Sequence, residues 1–226
     1  NIYNPFQRFC NGEKVDFEEN KLMVGESLKL VNNMRMRFRN KAGSNLLVIG
    51  NDEQKARTMF CFATLSMVLH VLSKNGYIKP KNPVIYLFDY APIEEYEERD
   101  ILKEVADQLK DYIQYIPFDD ANDEFKKLYD SLGRREKGIE EISDSYMLVY
   151  GLQRARELRS NNVYQNKVAM DEFDEFGGNV TQQLTVKPHE MFLNLLQRGA
   201  SVGINALVWE DNFKVFMAHY ASMLSS

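Results

Sequence analysis

The residues best suited to chemistry run from Gly50 to Thr58: Gly50, Asn51, Asp52, Glu53, Gln54, Lys55, Ala56, Arg57 and Thr58. They follow the short apolar run Leu46-Leu47-Val48-Ile49 and lead into the apolar stretch from Ala56 to Leu72. A strand that ends on glycine and feeds a long apolar helix is the skeleton of a phosphate-binding loop, in which backbone N–H groups and a helix N-terminus converge on one anion. A working loop reads G-x-x-x-x-G-K-[ST]. Laid on this chain from Gly50, its second glycine falls on Lys55, its lysine on Ala56 and its hydroxyl residue on Arg57. The cation for the phosphates and the hydroxyl for magnesium are both missing. Asp52 and Glu53 also set two carboxylates where a polyanion would sit, and like charges at short range repel. Lys55 and Thr58 take over the missing parts only if the helix slips by one residue, which turns its buried face by about 100°.

Alternating strands and helices must hold this loop. Glu26 to Leu30 and Met34 to Phe38 are short N-terminal strands; in the second, Met34, Met36 and Phe38 alternate with Arg35, Arg37 and Arg39, so the arginines form a solvated row. The helix after the turn at Gly50 to Lys55 is apolar almost all round, which predicts burial on most sides and makes His70 a packed core residue. Gly76 stops it, and Pro80 and Pro83 keep the connection extended. Pro83 to Asp89 reads as a buried parallel strand. Asp89 stands at its carboxyl end, where open α/β sheets hold ligands, and is equally suited to starting a turn. A helix over Glu94 to Asp111 and a strand over Tyr112 to Phe118 follow. Ala121 to Glu141 is helical with a break near Gly133 or Gly138, and its Arg134-Arg135-Glu136-Lys137 cluster is expected in solvent.

Tyr146 to Tyr150 is a further strand, turned by Gly151 into a helix over Leu152 to Arg159. Asn161 to Pro188 is polar, holds Gly177-Gly178, and reads as a long exposed loop. Glu190 to Gln197, Ile204 to Trp209 and Asn212 to Leu224 complete the chain as helix, strand and helix. This alternation predicts an α/β fold with a mostly parallel sheet and helices on both faces.

Composition narrows the setting. The 226 residues suffice for one large α/β domain with extensions, and 44% hydrophobic with 12% aromatic content supports a real core. No run is expected to span a bilayer, and no secretory signal opens the chain. Cys10 and Cys61 alone point to a reducing, cytoplasmic setting without a disulfide framework. The start at Asn1 suggests a piece of something longer, with residues 1–22 as an extension or linker and 23–226 as the domain. A net charge of −5 and a pI near 5.4 argue against holding DNA by bulk electrostatics, and leave room only for contact through loops of an assembled ring.

Four stretches, in order, resemble the FtsK/SpoIIIE branch of RecA-like motor ATPases. Gly43-Ser44-Asn45-Leu46-Leu47-Val48-Ile49-Gly50 is similar to the approach to that family's nucleotide loop, and Val84 to Asp89 to its next core strand. Met147-Leu148-Val149-Tyr150-Gly151-Leu152-Gln153-Arg154-Ala155-Arg156 resembles its metal-and-water strand without the acidic pair. Arg198-Gly199-Ala200-Ser201-Val202-Gly203-Ile204-Asn205 resembles its R-G-x-x-x-G-I-H strand entry, with Asn205 in place of His. The resemblance covers about Met23 to Leu224 and implies a RecA-like P-loop NTPase fold. It also implies that Tyr150 and Gly151 occupy the positions of the Asp and Glu that bind magnesium and orient the attacking water. Phosphoryl transfer rests on positioning and charge stabilisation, so the family reading is a degenerate, non-catalytic domain with no cofactor expected.

The implied setting is a larger DNA-translocase or secretion-type motor, with other ATPase domains of the polypeptide or ring as partners. Double-stranded DNA would be met only through the assembly. The fragment itself would make no membrane contact, even within a membrane-tethered protein. Family members continue with further strands and a trans-acting arginine, so the domain is expected to be C-terminally incomplete.

A rival reading is an active ATP- and magnesium-dependent translocase using Lys55, Thr58 and the pair Asp171 and Glu172. Val168-Ala169-Met170-Asp171-Glu172-Phe173 also ends an apolar run in Asp-Glu, at a distance from Gly203 that suits an intact motor. Its apolar run is short, its flanks are polar, and Gly177-Gly178 follows where a helix should start, so it reads as a loop decoy.

Overall fold

The computed structural model describes residues 11, 13, 21–25, 34–76, 78–91, 101–159 and 186–220. Two sheets form. β1 (Lys21–Gly25) and β2 (Met34–Arg37) pair antiparallel, with a register shift between Met23 and Gly25. β1 straddles the boundary at Met23 drawn from the sequence, and the strand expected over Glu26 to Leu30 lies outside the described residues. The period of two holds where β2 ends: Phe38 is buried between exposed Arg37 and Arg39.

The main sheet contains β3 (Leu46–Ile49), β4 (Ile85–Asp89), β5 (Ile113–Pro117), β6 (Ser145–Tyr150) and β7 (Ile204–Glu210). Its spatial order is β3-β7-β6-β4-β5 and every pairing is parallel. β3 is therefore an edge strand, and the last strand in the chain inserts between it and β6. β6 and β7 are buried along their whole length, as parallel strands covered on both faces must be.

Helices cover both faces. α1 (Glu53–Lys74) and α2 (Ile101–Gln108) pack on one side with Phe60, Met67, Leu87, Tyr146, Leu148 and Trp209. α3 (Ala121–Glu136), α4 (Pro188–Arg198) and α5 (Phe213–Tyr220) pack on the other with Phe88, Phe125, Phe192, Val149 and Val208. Each such side chain contributes about 1.5–3 kcal/mol on burial. The result is an α/β fold with an all-parallel five-stranded sheet flanked by helices on both faces, as the alternation predicts, preceded by two short N-terminal strands.

Four expectations change. α1 is long and apolar enough by length and composition to cross a membrane, although no run was expected to be. Two-thirds (67%) of its most apolar stretch is buried in the protein, because the sheet and α2 use that apolar surface as core. Leu152 to Arg159 is not a regular helix but two short 3₁₀ turns, Leu152–Arg154 and Arg156–Leu158, with Ala155 between them. α3 runs through Gly133 and ends at Glu136, so the break falls near Gly138, the second of the two expected places, but no helix resumes from there to Glu141. Arg135 is not in solvent: it is 7% exposed. Its guanidinium donates to the carbonyls of Ser143 (2.7 Å) and Val202 (3.2 Å), to Ser145 Oγ (3.0 Å) and to Glu140 Oε1 (3.0 Å). This one side chain ties α3 to the entries of β6 and β7.

The glycine spacing before β7 is steric. Gly203 has φ 84°, and a Cβ there would stand 2.6 Å from the Ser143 carbonyl oxygen; one on Gly199 would stand 2.8 Å from that of Ile204. Asn205 is fully buried and donates to the carbonyl oxygens of Ser44 (2.9 Å) and Arg39 (3.3 Å), fastening the β2–β3 connection to the sheet.

Candidate nucleotide-loop site

β3 stops at Ile49 and α1 starts at Glu53, so only Gly50, Asn51 and Asp52 lie between them. A phosphate cradle places the G-x-x-x-x-G part of its motif between strand and helix, with the Lys and Ser/Thr opening the helix. The turn expected to reach Lys55 is thus shorter, and Gln54, Lys55, Ala56, Arg57 and Thr58 are already helical. The cause is local. Asp52 is the N-cap: its Oδ1 accepts the Lys55 N–H at 3.0 Å, and its Oδ2 meets Lys55 Nζ at 2.8 Å. Asp is among the strongest N-capping residues, so the helix begins before a cradle can form. Hydrogen bonds from Lys55 hold the Asp52 carboxyl below its usual range, and Asp52 raises the Lys55 ammonium in return. The Thr58 hydroxyl turns back onto the helix, donating to the Gln54 carbonyl at 2.9 Å.

Gly50, at the start of the loop, is also committed through its backbone. The Gly50 N–H donates to the Glu210 carbonyl at 3.2 Å, and the Gly50 carbonyl accepts from Trp209 Nε1 at 2.9 Å. The Ala56 N–H donates to the Asp52 carbonyl at 3.0 Å. These groups point at protein partners, where a cradle would aim N–H groups at phosphate.

Side chains fill the space in front of the loop. Tyr150, at the carboxyl end of β6, stacks on Trp209 at 4.8 Å between ring centroids and meets Phe60 edge-on at 5.5 Å. Its hydroxyl accepts from Arg57 Nε at 3.3 Å and donates to the Glu53 carbonyl, also at 3.3 Å. Burial pushes the Tyr150 phenol up to about 12 despite the Arg57 hydrogen bond and charge, so it stays a neutral donor. After β6 the chain turns through Gly151 (φ 82°). This turn brings Arg154 back over α1, where it grips Glu53 bidentately, at 2.8 Å (Nη1–Oε1) and 3.1 Å (Nη2–Oε2). The Arg154 hydrogen bonds hold the Glu53 carboxyl below its usual range against partial burial.

The two carboxylates read from sequence as repelling a polyanion therefore have definite jobs. Asp52 caps α1, and Glu53 lies in the first turn, where the helix end favours negative charge, with its own counter-ion, Arg154, supplied from the 3₁₀ turn that follows β6. Of the two positions that the resemblance assigns to an acidic pair, Tyr150 reaches Glu53 and Arg57 at the start of α1 as an aromatic wedge, and Gly151 turns the chain. Asp89 resolves as a turn residue: its Oδ1 accepts the Ala91 N–H at 2.8 Å and its Oδ2 the Tyr115 hydroxyl at 2.8 Å. Asp171 and Glu172 lie outside the described residues. Sequence reasoning missed Arg154 and Trp209; the only signal for the former was its position three residues after a glycine that must turn.

As chemistry, the arrangement has hydrogen bonds and ion pairs closed on themselves. Asp52 holds Lys55, Glu53 holds Arg154, and Arg57 leans over the Tyr150 ring, its guanidinium 5.6 Å from the centroid. Neither a family model nor a curated protein matches the chain.

Proposed function

We propose that this chain is a non-catalytic FtsK/SpoIIIE-like module of a larger DNA-translocase-type motor, with a structural or regulatory role beside active ATPase domains. The observation that carries the reading is the Glu53–Arg154 pair lying with Tyr150 across the mouth of a three-residue β3–α1 connection. A nucleotide would have to break a bidentate ion pair and displace a stacked aromatic. Phosphoryl transfer needs cation, metal and water positioned together, and neither Tyr150 nor Gly151 can hold magnesium or activate water. Module partners are other ATPase domains of the same polypeptide or ring. Double-stranded DNA, cell-division DNA traffic or a secretion cargo would be met by the assembly, in the cytoplasm.

Isothermal titration of the chain with Mg-ATP tests this directly, with no heat of binding expected below millimolar nucleotide. Sub-millimolar binding, or ATP turnover that disappears in Glu172→Gln, overturns it and restores the active-motor reading through Lys55, Thr58, Asp171 and Glu172.

A further inference from the structure

At the end of the sheet opposite the β3–α1 link, two connections enclose a cleft. The first, residues 75–84, leads from α1 into β4; the second, residues 137–144, leads from α3 into β6. β4 and β6 are neighbouring parallel strands, so both connections arrive at the same end. The cleft has a volume of about 520 Å³, within the roughly 300–1,000 Å³ of ligand sites.

Its charges do not all close on one another. Among the described residues, Lys74, Lys81, Arg135, Glu140, Glu141 and Asp144 line it. Lys74 Nζ meets Asp144 Oδ2 at 2.5 Å, and Arg135 Nε meets Glu140 Oε1 at 3.0 Å. Hydrogen bonds from His70 and Lys74 hold the Asp144 carboxyl below its usual range against burial. One cation, Lys81 from the first connection, and one anion, Glu141 from the second, are left over. Both are exposed, and neither has an ion-pair partner among the described residues. Opposite charges that share a cleft without pairing offer a cation and an anion to whatever enters it. Tyr86 of β4 also lines the cleft, with a hydroxyl that makes no hydrogen bond among the described residues. Burial pushes its phenol up against the Arg135 charge, so it stays a neutral donor.

The same two connections hold isoleucines in solvent. Ile142 lines the cleft and is 51% exposed. Ile78 and Ile139, at 72% and 71%, are the most exposed large hydrophobics among the described residues. Apolar side chains around a polar cleft mark a surface that meets protein. Ile78 and Ile139 lie outside the lining of the cleft, so a small molecule held in it leaves them in water. A chain that runs through the cleft and past its rim can cover them.

We propose that this cleft docks an extended segment of a partner protein, with an acidic side chain against Lys81 and a basic one against Glu141. Apolar residues beside the charged pair lie over Ile78, Ile139 and Ile142, and the Tyr86 hydroxyl donates to a carbonyl of the segment. Residues two apart share one face of an extended chain, so the acidic and basic residues fall at even spacing. The cleft lies at the far end of the sheet from the β3–α1 link and does not depend on the proposal for that link.

Panning a display library of random short peptides on the whole chain tests the site. Recovered sequences are expected to carry one acidic and one basic residue at even spacing, flanked by apolar residues. Panning on Lys81→Gln should lose the acidic residue and keep the basic one, and Glu141→Gln should do the reverse. A synthetic peptide of recovered sequence should bind wild type saturably in calorimetry. Each single variant should bind it about tenfold more weakly, roughly one charge-assisted contact. Replacing the acidic residue of the peptide by its amide should cost nothing further in Lys81→Gln. No enrichment, enrichment without the charged pair, or the same sequences recovered on all three proteins overturns the proposal. So does self-association in sedimentation that Lys81→Gln abolishes, which assigns the cleft to a second copy of the chain.

Discussion

At Glu53 a carboxylate meets the positive end of α1 and the guanidinium of Arg154 at once. Both partners are 30% exposed, so solvent screens the pair and Glu53→Gln is expected to cost about 1 kcal/mol at pH 7. The pH dependence has a definite sign. The Arg154 hydrogen bonds depress the folded-state pKa below the ordinary glutamate value of 4.5, so the stabilisation is complete above that value and is lost as pH falls through the folded pKa. Urea denaturation between pH 7 and pH 3 should therefore show wild type and Glu53→Gln converging toward acid. Glu210 has the opposite sign. Its folded pKa lies near 7 against 4.5, so the native state binds the extra proton and loses stability as pH rises from 4.5 through 7. Glu210→Gln should gain on wild type across that interval in the same measurements, and parallel curves would refute the assignment. Trp209, the single tryptophan, adds its indole bond to Gly50 to its stacking on Tyr150. Trp209→Phe should lose about 1 kcal/mol for that bond, and Trp209→Ala about 3–5 kcal/mol, both read as shifted urea midpoints.

At the scale of elements, two residues join pieces distant in the chain. Arg135→Met keeps the length of the side chain but strands the Ser143 and Val202 carbonyls and half of the Glu140 partnership, and should destabilise by about 3 kcal/mol. Gly203→Ala adds a Cβ at positive φ against the Ser143 carbonyl and should cost about 2 kcal/mol or more; either is checked by equilibrium urea unfolding. These joints also explain what could be read beforehand. The parallel strands were legible because β4, β6 and β7 are apolar runs bounded by glycine and proline, and α1 because its sequence is apolar almost all round, 12 of its 22 residues being buried. Arg135 was misread because a basic cluster looks the same whether its guanidinium reaches solvent or a carbonyl cage; only the approach of the β6 and β7 entries decides. The region from Leu152 to Arg159 was misread for a related reason. Its composition suits a helix, but Gly151 launches it left-handed and the Glu53–Arg154 pair fixes it across the loop. At the site, the missing lysine and hydroxyl were visible in the spacing. The substitutes for them were not, since Glu53 and Arg154 meet only after β7 and β6 have ordered themselves beside β3.

The whole molecule carries an acidic balance, −5 in net charge. With no basic excess to release counterions from a duplex, the isolated chain should give no salt-sensitive shift of double-stranded DNA in gel retardation at 50 mM salt, about the most permissive condition for phosphate contacts. A shift that weakened steeply with salt would contradict the ring-mediated view of DNA contact. The β3–α1 connection has a further implication, for descent. The cap at Asp52, the first turn of α1 and the tyrosine that closes β6 all hold the link at three residues, so a longer phosphate grip would take the loss of all of them together. On the proposed reading, a lineage carrying this form is held in it as by a ratchet, free to refine its contacts with neighbours while the chemistry is left to other domains.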